Sequence, residues 1–397
     1  MDYNNSVYTV LHWNYRGFTE FPLERIKGEE EEITDIYLKE NLISRIPSDI
    51  GKLNKLESLY LSGNDITELP REIAKLTRLK CLDLSGNRLQ YIPDEIGEVR
   101  NLKFLMLDEN ELLELPLRLA ELRMLRYLSV CDNKLQWLPQ RPVYNYHHCE
   151  LRFWRNHSLK TIPYSLWYHM FRGQQTRSLN IGCLSIPVCQ ETSPTGRCVL
   201  RLNQEKKYDI NMNFPTNYKH IINKDVVIVP SLFELCKRRF YEIIKDAARR
   251  LTTAPPSIYS DTHYDEKYEN NINTLQEHFN DFNILNNNEN VNTININKNK
   301  ELKAKGKGYC VPYDIVEEYF YYLPRIMKED LCNGPVSRCE NVSCKKAVFD
   351  FVYFEFCVEK IILIDSTEDV ILSAAFCSKS CAESWKRGKT LLNWKFV

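Results

Sequence analysis

The sequence predicts an α/β fold: a leucine-rich repeat solenoid, shaped as a parallel-stranded horseshoe, followed by a helical adaptor segment and a small β-rich, cysteine-held module. Three observations carry this. Seven asparagines stand at Asn14, Asn41, Asn64, Asn87, Asn110, Asn133 and Asn156, and every interval after the first is 23 residues. The same leucines recur around them, as in Leu56-Glu-Ser-Leu59-Tyr-Leu61-Ser-Gly-Asn64 and Leu79-Lys-Cys-Leu82-Asp-Leu84-Ser-Gly-Asn87. Near the C-terminus, two short cysteine pairs flank a run of strand-forming residues.

The leucine spacing is that of leucine-rich repeats. Each unit continues to a proline six residues past its asparagine (Pro47, Pro70, Pro93, Pro116, Pro139) and then to an apolar pair such as Ile73 and Leu76, which turns the convex side inward. One coil cannot bury its own leucines, so neighbours stack and the leucine columns become the interior. The asparagines are expected to be buried between coils, because an amide offers both donors and an acceptor to backbone groups. The first interval is longer by four residues, coinciding with the acidic run Glu29 to Glu32, which reads as a solvated insertion.

Strand alternation points the residues between the leucines out of the concave face. One column then holds Val10, Tyr37, Tyr60, Asp83, Met106, Ser129 and Arg152; its neighbour holds Tyr8, Asp35, Ser58, Cys81, Phe104, Tyr127 and Glu150. Exposed aromatics and methionine beside isolated charges resemble a protein-binding surface. Tyr37, Tyr60, Asp83, Phe104, Met106, Tyr127 and Arg152 are therefore the candidate contacts for a protein target. The alternative is that this face packs against the chain's own C-terminal half.

At 397 residues the chain is long enough for more than one domain, and its 53 basic and 53 acidic side chains leave no net charge to attract nucleic acid or anionic membrane. Partners are expected to be proteins. The N-terminus lacks the basic start and apolar core of a signal peptide, and no apolar run reaches the roughly 18 residues that span a bilayer. A cytoplasmic or nuclear location is expected. The 14 cysteines are scattered, with Cys81 and Cys131 on repeat strands, which fits free thiols plus a metal site better than a disulfide scaffold.

The repeat register weakens after Pro139, and Leu151, Phe153, Asn156 and Pro163 form the end coil, closing a solenoid over residues 1–168. Residues 169–229 read as an irregular connector with short strands such as Cys198-Val-Leu-Arg-Leu. Between 252 and 308 the chain turns polar and asparagine-rich, and such a stretch buries too little to offset the entropy of ordering it. It is read as a disordered insertion.

Just before it, over 230–251, Pro230-Ser231 opens a helix on which Leu232, Cys236 and Phe240 are four apart and share one face. A long apolar residue, a small one and another apolar one at that spacing suit a partner's groove. The pattern resembles the elongin-binding box of cullin ubiquitin ligase receptors, in which these three residues contact elongin C. The other reading is an amphipathic cap over the end of the solenoid. After the insertion, over 309–331, Pro312 opens a second helix with an apolar stripe of Ile315, Tyr319 and Tyr322. It resembles the cullin box, which assigns Pro312 and Ile315 to cullin binding. Cys310 stands where the cullin 5 type has a proline, so cullin 2 and cullin 5 stay open.

Over 332–397, Cys339-x4-Cys344 and Cys377-x3-Cys381 bracket a strand-like stretch. Two such knuckles brought together by a hairpin place four thiolates around zinc, closing its shell as in a structural site. Buried unligated cysteines are the alternative, and Cys332 and Cys357 are spare ligands. The C-terminal lysines with Trp385 and Trp394 read as a solvated face, since no stacking motif or net basic balance accompanies them.

The segments Pro230-Ser-Leu-Phe-Glu-Leu235, Pro312-Tyr-Asp314, Cys339-x4-Cys344 followed by Val348-Phe-Asp350, Cys357-Val-Glu-Lys-Ile-Ile and Cys377-Ser-Lys-Ser-Cys381 together resemble one family of intracellular leucine-rich repeat proteins. That resemblance implies a non-enzymatic substrate receptor recruiting targets to a cullin-RING ligase through elongins B and C. A repeat scaffold of signalling assemblies is the second reading.

Overall fold

The structure, a computed structural model, describes residues 9–140, 149–170, 175–176, 197–201, 209–213, 220–222, 230–253, 316, 320–363 and 367–396. Seven strands, β1 (Thr9–His12), β2 (Ile33–Tyr37), β3 (Ser58–Tyr60), β4 (Cys81–Asp83), β5 (Phe104–Met106), β6 (Tyr127–Ser129) and β7 (Glu150–Arg152), form one parallel sheet in chain order. Register advances by one coil per strand: Leu59 pairs with Leu82, Leu82 with Leu105, and Leu105 with Leu128. The return legs at Pro47, Pro70, Pro93 and Pro116 begin at a proline whose fixed φ suits an extended entry, then make a short 3-10 turn such as Arg71–Lys75 after Pro70. Ile73, Leu76, Leu79, Leu82 and Leu84 are completely buried.

The asparagines form a continuous ladder. Asn87 donates from Nδ2 to the carbonyls of Leu61 (3.0 Å) and Leu84 (2.9 Å) and accepts from Ile66 N–H at Oδ1 (3.0 Å). Asn64 and Asn110 repeat the pattern one coil to either side. Backbone groups that the strands leave unpaired inside the coil are thereby satisfied.

The end coil runs directly into a second sheet of eight strands. Its centre is the long hairpin of β15 (Phe351–Leu363) and β16 (Thr367–Phe376). Flanking it are β8 (Ile162–Pro163), β9 (Gln175–Thr176), β10 (Arg197–Arg201), β11 (Asp209–Asn213), β12 (His220–Ile222) and β17 (Thr390–Phe396). β8, at the tip of the solenoid, pairs in parallel with β16 through Leu372 and Ile162. Trp137 meets the Phe354 ring edge-on at 5.8 Å, and Gln140 donates to Ser373 Oγ at 2.6 Å. Helix α1 (Tyr164–Met170) packs against β16, and its Tyr164 ring meets Trp385 of the helix Lys379–Lys386 with ring centres 5.0 Å apart.

Strands from the connector and from the C-terminal module lie in one sheet. The connector strand β10 lies between β11 and β17, so residues of the connector complete the C-terminal sheet. Among the described residues are three further helices, α2 (Leu232–Thr253), α3 (Arg325–Asn333) and α4 (Lys379–Lys386), and a minor pair β13 (Ser337–Arg338) and β14 (Ala347–Val348). α2 and α3 build a second core with Tyr241, Ile244, Val316, Phe320, Leu323, Met327, Leu331 and Phe349. The asparagine-rich insertion read from the sequence lies, from residue 254, outside the described residues.

Candidate metal centre and docking surfaces

Cys339 follows β13, and the chain then turns so that Cys344 N–H reaches Asn341 O at 3.0 Å and Lys345 takes φ 52°. Cys377 follows β16, and Ser378 caps α4 by accepting Cys381 N–H at 3.3 Å, setting Cys381 in the first helical turn. The hairpin returns the chain so that all four sulfurs lie within 4.8 Å of one another. Cys344 and Cys377 Sγ are 3.5 Å apart, and Cys377 and Cys381 Sγ 3.8 Å. A tetrahedron with metal–sulfur bonds of about 2.3 Å has edges of about 3.8 Å, so this cluster can hold a metal ion.

Cys339, Cys377 and Cys381 are buried and Cys344 is half-buried. Thiol hydrogen bonds from Cys339 first, and from Cys344 and Cys381, draw the Cys377 thiol down to about 5, while Cys339 is pushed up by the same bond. Of the spare cysteines, Cys357 is buried within β15 and Cys332 packs against the second core. Ser378→Ala removes the α4 cap but no ligand; it is expected to cost about 1 kcal/mol in denaturant unfolding of the metal-loaded chain. A loss several times larger means that the cap holds Cys381 in place.

α2 begins as its sequence suggests, with Ser231 Oγ accepting Glu234 N–H at 3.2 Å. Its inner face is charged. Glu234, completely buried, accepts the backbone N–H groups of Phe349 (3.1 Å) and Asp350 (3.0 Å) and pairs with Arg238 at 2.6 Å. Arg238 donates to the carbonyls of Cys377 (3.3 Å) and Phe351 (3.2 Å). Lys237, also completely buried, bridges Asp330 (2.9 Å) and Asp350 and lies between the Phe233 and Phe349 rings. Burial disfavours the ammonium, but its bonds to Asp350 and Asp330 outweigh this and raise its pKa.

The outer face of α2 carries Leu232 (77% exposed), Leu235 (44%) and Phe233 (39%). Of the three residues expected to meet elongin C, Leu232 is free, Cys236 is half-buried, and Phe240 packs edge-on against Phe320 with ring centres 6.2 Å apart. The pattern read from the sequence treats the positions between them as spacers, so it misses Glu234, Lys237 and Arg238. Pro312 and Ile315 lie outside the described residues. Of the rest of the expected stripe, Tyr319 also lies outside them and Tyr322 is half-exposed, while Val316, Phe320 and Leu323 are buried. A tyrosine keeps its hydroxyl in water at lower cost than a leucine keeps its side chain there. The helix that follows, α3, starts only after Pro324.

On the concave face, Tyr37 stacks between His12 (4.8 Å) and Tyr60 (4.6 Å), and Lys39 lies 4.9 Å above the Tyr60 ring while pairing with Asp83 at 3.1 Å. Asp83 is thus buried and engaged. Arg152 sits 5.3 Å over Tyr127 and pairs with Glu150; Phe104 is 43% exposed and Met106 half-buried. The C-terminal half approaches the solenoid at its end coil and beside the turns at Tyr91–Ile92 and Glu114–Arg118, across a cleft of about 330 Å³. At the other end of the chain Trp385 and Trp394 are buried, and Lys386 pairs with Glu355 at 2.7 Å.

The profile of the leucine rich repeat family matches residues 31–89. The chain contains a leucine-rich repeat solenoid. A leucine-rich repeat protein of Leptospira interrogans is similar at 31% identity over 37% of each chain, with a TM-score of 0.31. The leucine-rich repeat ectodomain of the receptor kinase SOBIR1 from Arabidopsis thaliana is similar at 29% identity, over 30% of this chain and 68% of that one, with a TM-score of 0.28. The BIR3–SERK2 complex from the same plant matches at 30% identity, over 28% of this chain and 60% of that one, with a TM-score of 0.25. A search of curated proteins gives no match. Among the described residues no helix is long and apolar enough to cross a membrane.

Proposed function

We propose that this repeat scaffold acts as the substrate receptor of an elongin/cullin-RING ubiquitin ligase. The solenoid binds a protein target on its concave face, at Tyr37, Tyr60, Phe104, Met106, Tyr127 and Arg152. α2 presents Leu232 to elongin C, and a cullin binds through Pro312 and Ile315. The four cysteines hold a structural zinc ion, and no residue of the chain performs ubiquitin transfer. The C-terminal motifs support this reading by their likeness to leucine-rich repeat-containing protein 58 and, more weakly, to the related protein 28. Cytoplasm or nucleus is the location that goes with it.

The observation that carries the reading is the asymmetry of α2: its charged face is pinned to the body, while Leu232, 77% exposed, stands at its start with no covering residue described. With the exposed Phe233 and Leu235 it makes an apolar patch on the first turn of α2, the kind of surface that marks a docking site. One contact favours the second reading, a scaffold without ligase recruitment: Phe240 is already packed against Phe320 within the chain. Full-length protein and Leu232→Glu, purified from cells and analysed by mass spectrometry, separate the two. Elongins B and C and one cullin are expected with the parent and reduced at least about tenfold with the variant, as for an apolar anchor lost from a groove. Equal recovery with both removes Leu232 from the interface. Absence from both leaves the scaffold.

A further inference from the structure

We propose that the metal held by Cys339, Cys344, Cys377 and Cys381 clasps α2 to the C-terminal sheet, so that metal occupancy controls whether Leu232, Phe233 and Leu235 are presented. This rests on the reading of α2 as a docking helix.

Besides the Lys237 bridge and the second core, two buried contacts of α2, those of Glu234 and Arg238, converge on the two cysteine knuckles. Glu234 accepts from Phe349 and Asp350, which join the Cys339–Cys344 knuckle and β14 to the start of β15. Arg238 donates to the carbonyl of Cys377, itself one of the four cysteines, and to that of Phe351. Both side chains are buried, so each depends on its acceptors or donors standing where they do.

What sets those positions is the meeting of the knuckles. Cys344 and Cys377 lie 33 residues apart in sequence and their sulfurs 3.5 Å apart in space. With metal bound, the four sulfurs are one rigid centre, and metal binding free energy becomes folding free energy of whatever the centre organises. Without it, the knuckle carrying the Cys377 carbonyl is free to shift against the one leading to Phe349. Glu234 and Arg238 then lose their partners together. Cys339, Cys377 and Cys381 join the core that runs from the leucine columns through the end coil into the C-terminal sheet, but the coils from Leu56 to Asn87 are held by their own stacked leucines and asparagine ladder, so the effect is expected to stay local.

The test is hydrogen exchange on the full-length chain, loaded with zinc and then stripped by a chelator, with zinc content measured alongside. Residues 235–246 are expected to exchange at least about tenfold faster after stripping, while the coils from Leu56 to Asn87 hold their protection, the signature of a local opening. Re-addition of zinc is expected to restore the slow rate. Unchanged exchange at 235–246 with zinc gone overturns the clasp, and so does an equal loss of protection in the coils. Arg238→Met keeps all four ligands: it is expected to retain about one zinc per chain yet show fast exchange at 235–246 without a chelator. Slow exchange in that variant overturns the route through Arg238. Exchange requires no partner, so a clasp that responds to zinc in a chain that captures no elongin separates failure of the docking reading from failure of this one.

Discussion

Lys237→Met is expected to destabilise the attachment of α2 by about 3–5 kcal/mol, the cost of removing one member of a buried ion-paired set. In the parent chain one completely buried ammonium neutralises two carboxylates, Asp330 on α3 and Asp350 before β15. Methionine fills much of the lysine's volume and still meets the Phe233 and Phe349 rings, so packing changes little. What remains is a pair of carboxylates facing an apolar side chain, and that is where the cost lies. Native-state hydrogen exchange at 235–246 is expected to rise by more than about a hundredfold, since each 1.4 kcal/mol is a factor of ten. Adding Asp330→Asn and Asp350→Asn removes the unpaired charges and is expected to recover most of the loss. If Lys237→Met leaves exchange unchanged, the bridge does not hold α2. If the triple variant is as fast as the single one, the loss comes from packing and not from charge.

The same network shows what could be read from the sequence and what could not. The repeats were legible because a 23-residue period fixes both the leucines that face inward and the asparagines that bridge coils. The four cysteines were legible because short spacing within each pair survives any path the hairpin takes between them. The inner face of α2 was hidden, because a charged residue in an amphipathic helix ordinarily faces water. Lys237 meets its partners 93 and 113 residues away, and nothing local announces them.

The exposure of Tyr322, after the insertion, was hidden for a different reason. Ile315, Tyr319, Tyr322 and Val316, Phe320, Leu323 are two apolar series at the same spacing, displaced by one residue. Periodicity cannot choose between them; among the described residues, Val316, Phe320 and Leu323 share a core with Tyr241 and Ile244. The connector was equally opaque. β10 is a five-residue strand whose neighbour β17 begins close to the C-terminus, so the pairing that orders it is not local. Short strands carry a weak pattern of their own, and long-range pairing decides them.

Within the solenoid a large loss is expected from a polar residue, an interior asparagine. Asn87→Ala deletes one acceptor and three donated bonds, to Leu61, Leu84 and the weaker Ser85 at 3.3 Å. These groups do not suffer equally. Leu61 O still receives Asn64 Nδ2 at 2.9 Å, and Leu84 O still receives Asn110 Nδ2 at 2.9 Å, because each of these two carbonyls is shared by two amides. Ile66 N–H loses the acceptor on which it depends, inside a coil where water does not reach. One orphaned buried N–H and two weakened carbonyls put the cost at about 3 kcal/mol. Asn14 provides the control. At the first coil it accepts from Lys39 N–H alone, so Asn14→Ala is expected to cost about 1 kcal/mol, one net hydrogen bond at a partly solvated edge. The two variants are compared by denaturant unfolding followed through the repeats. A ladder stabilised by sharing gives the interior variant roughly three times the loss of the terminal one; equal losses would mean that stacked leucines alone hold the coils and the asparagines only fill space between them.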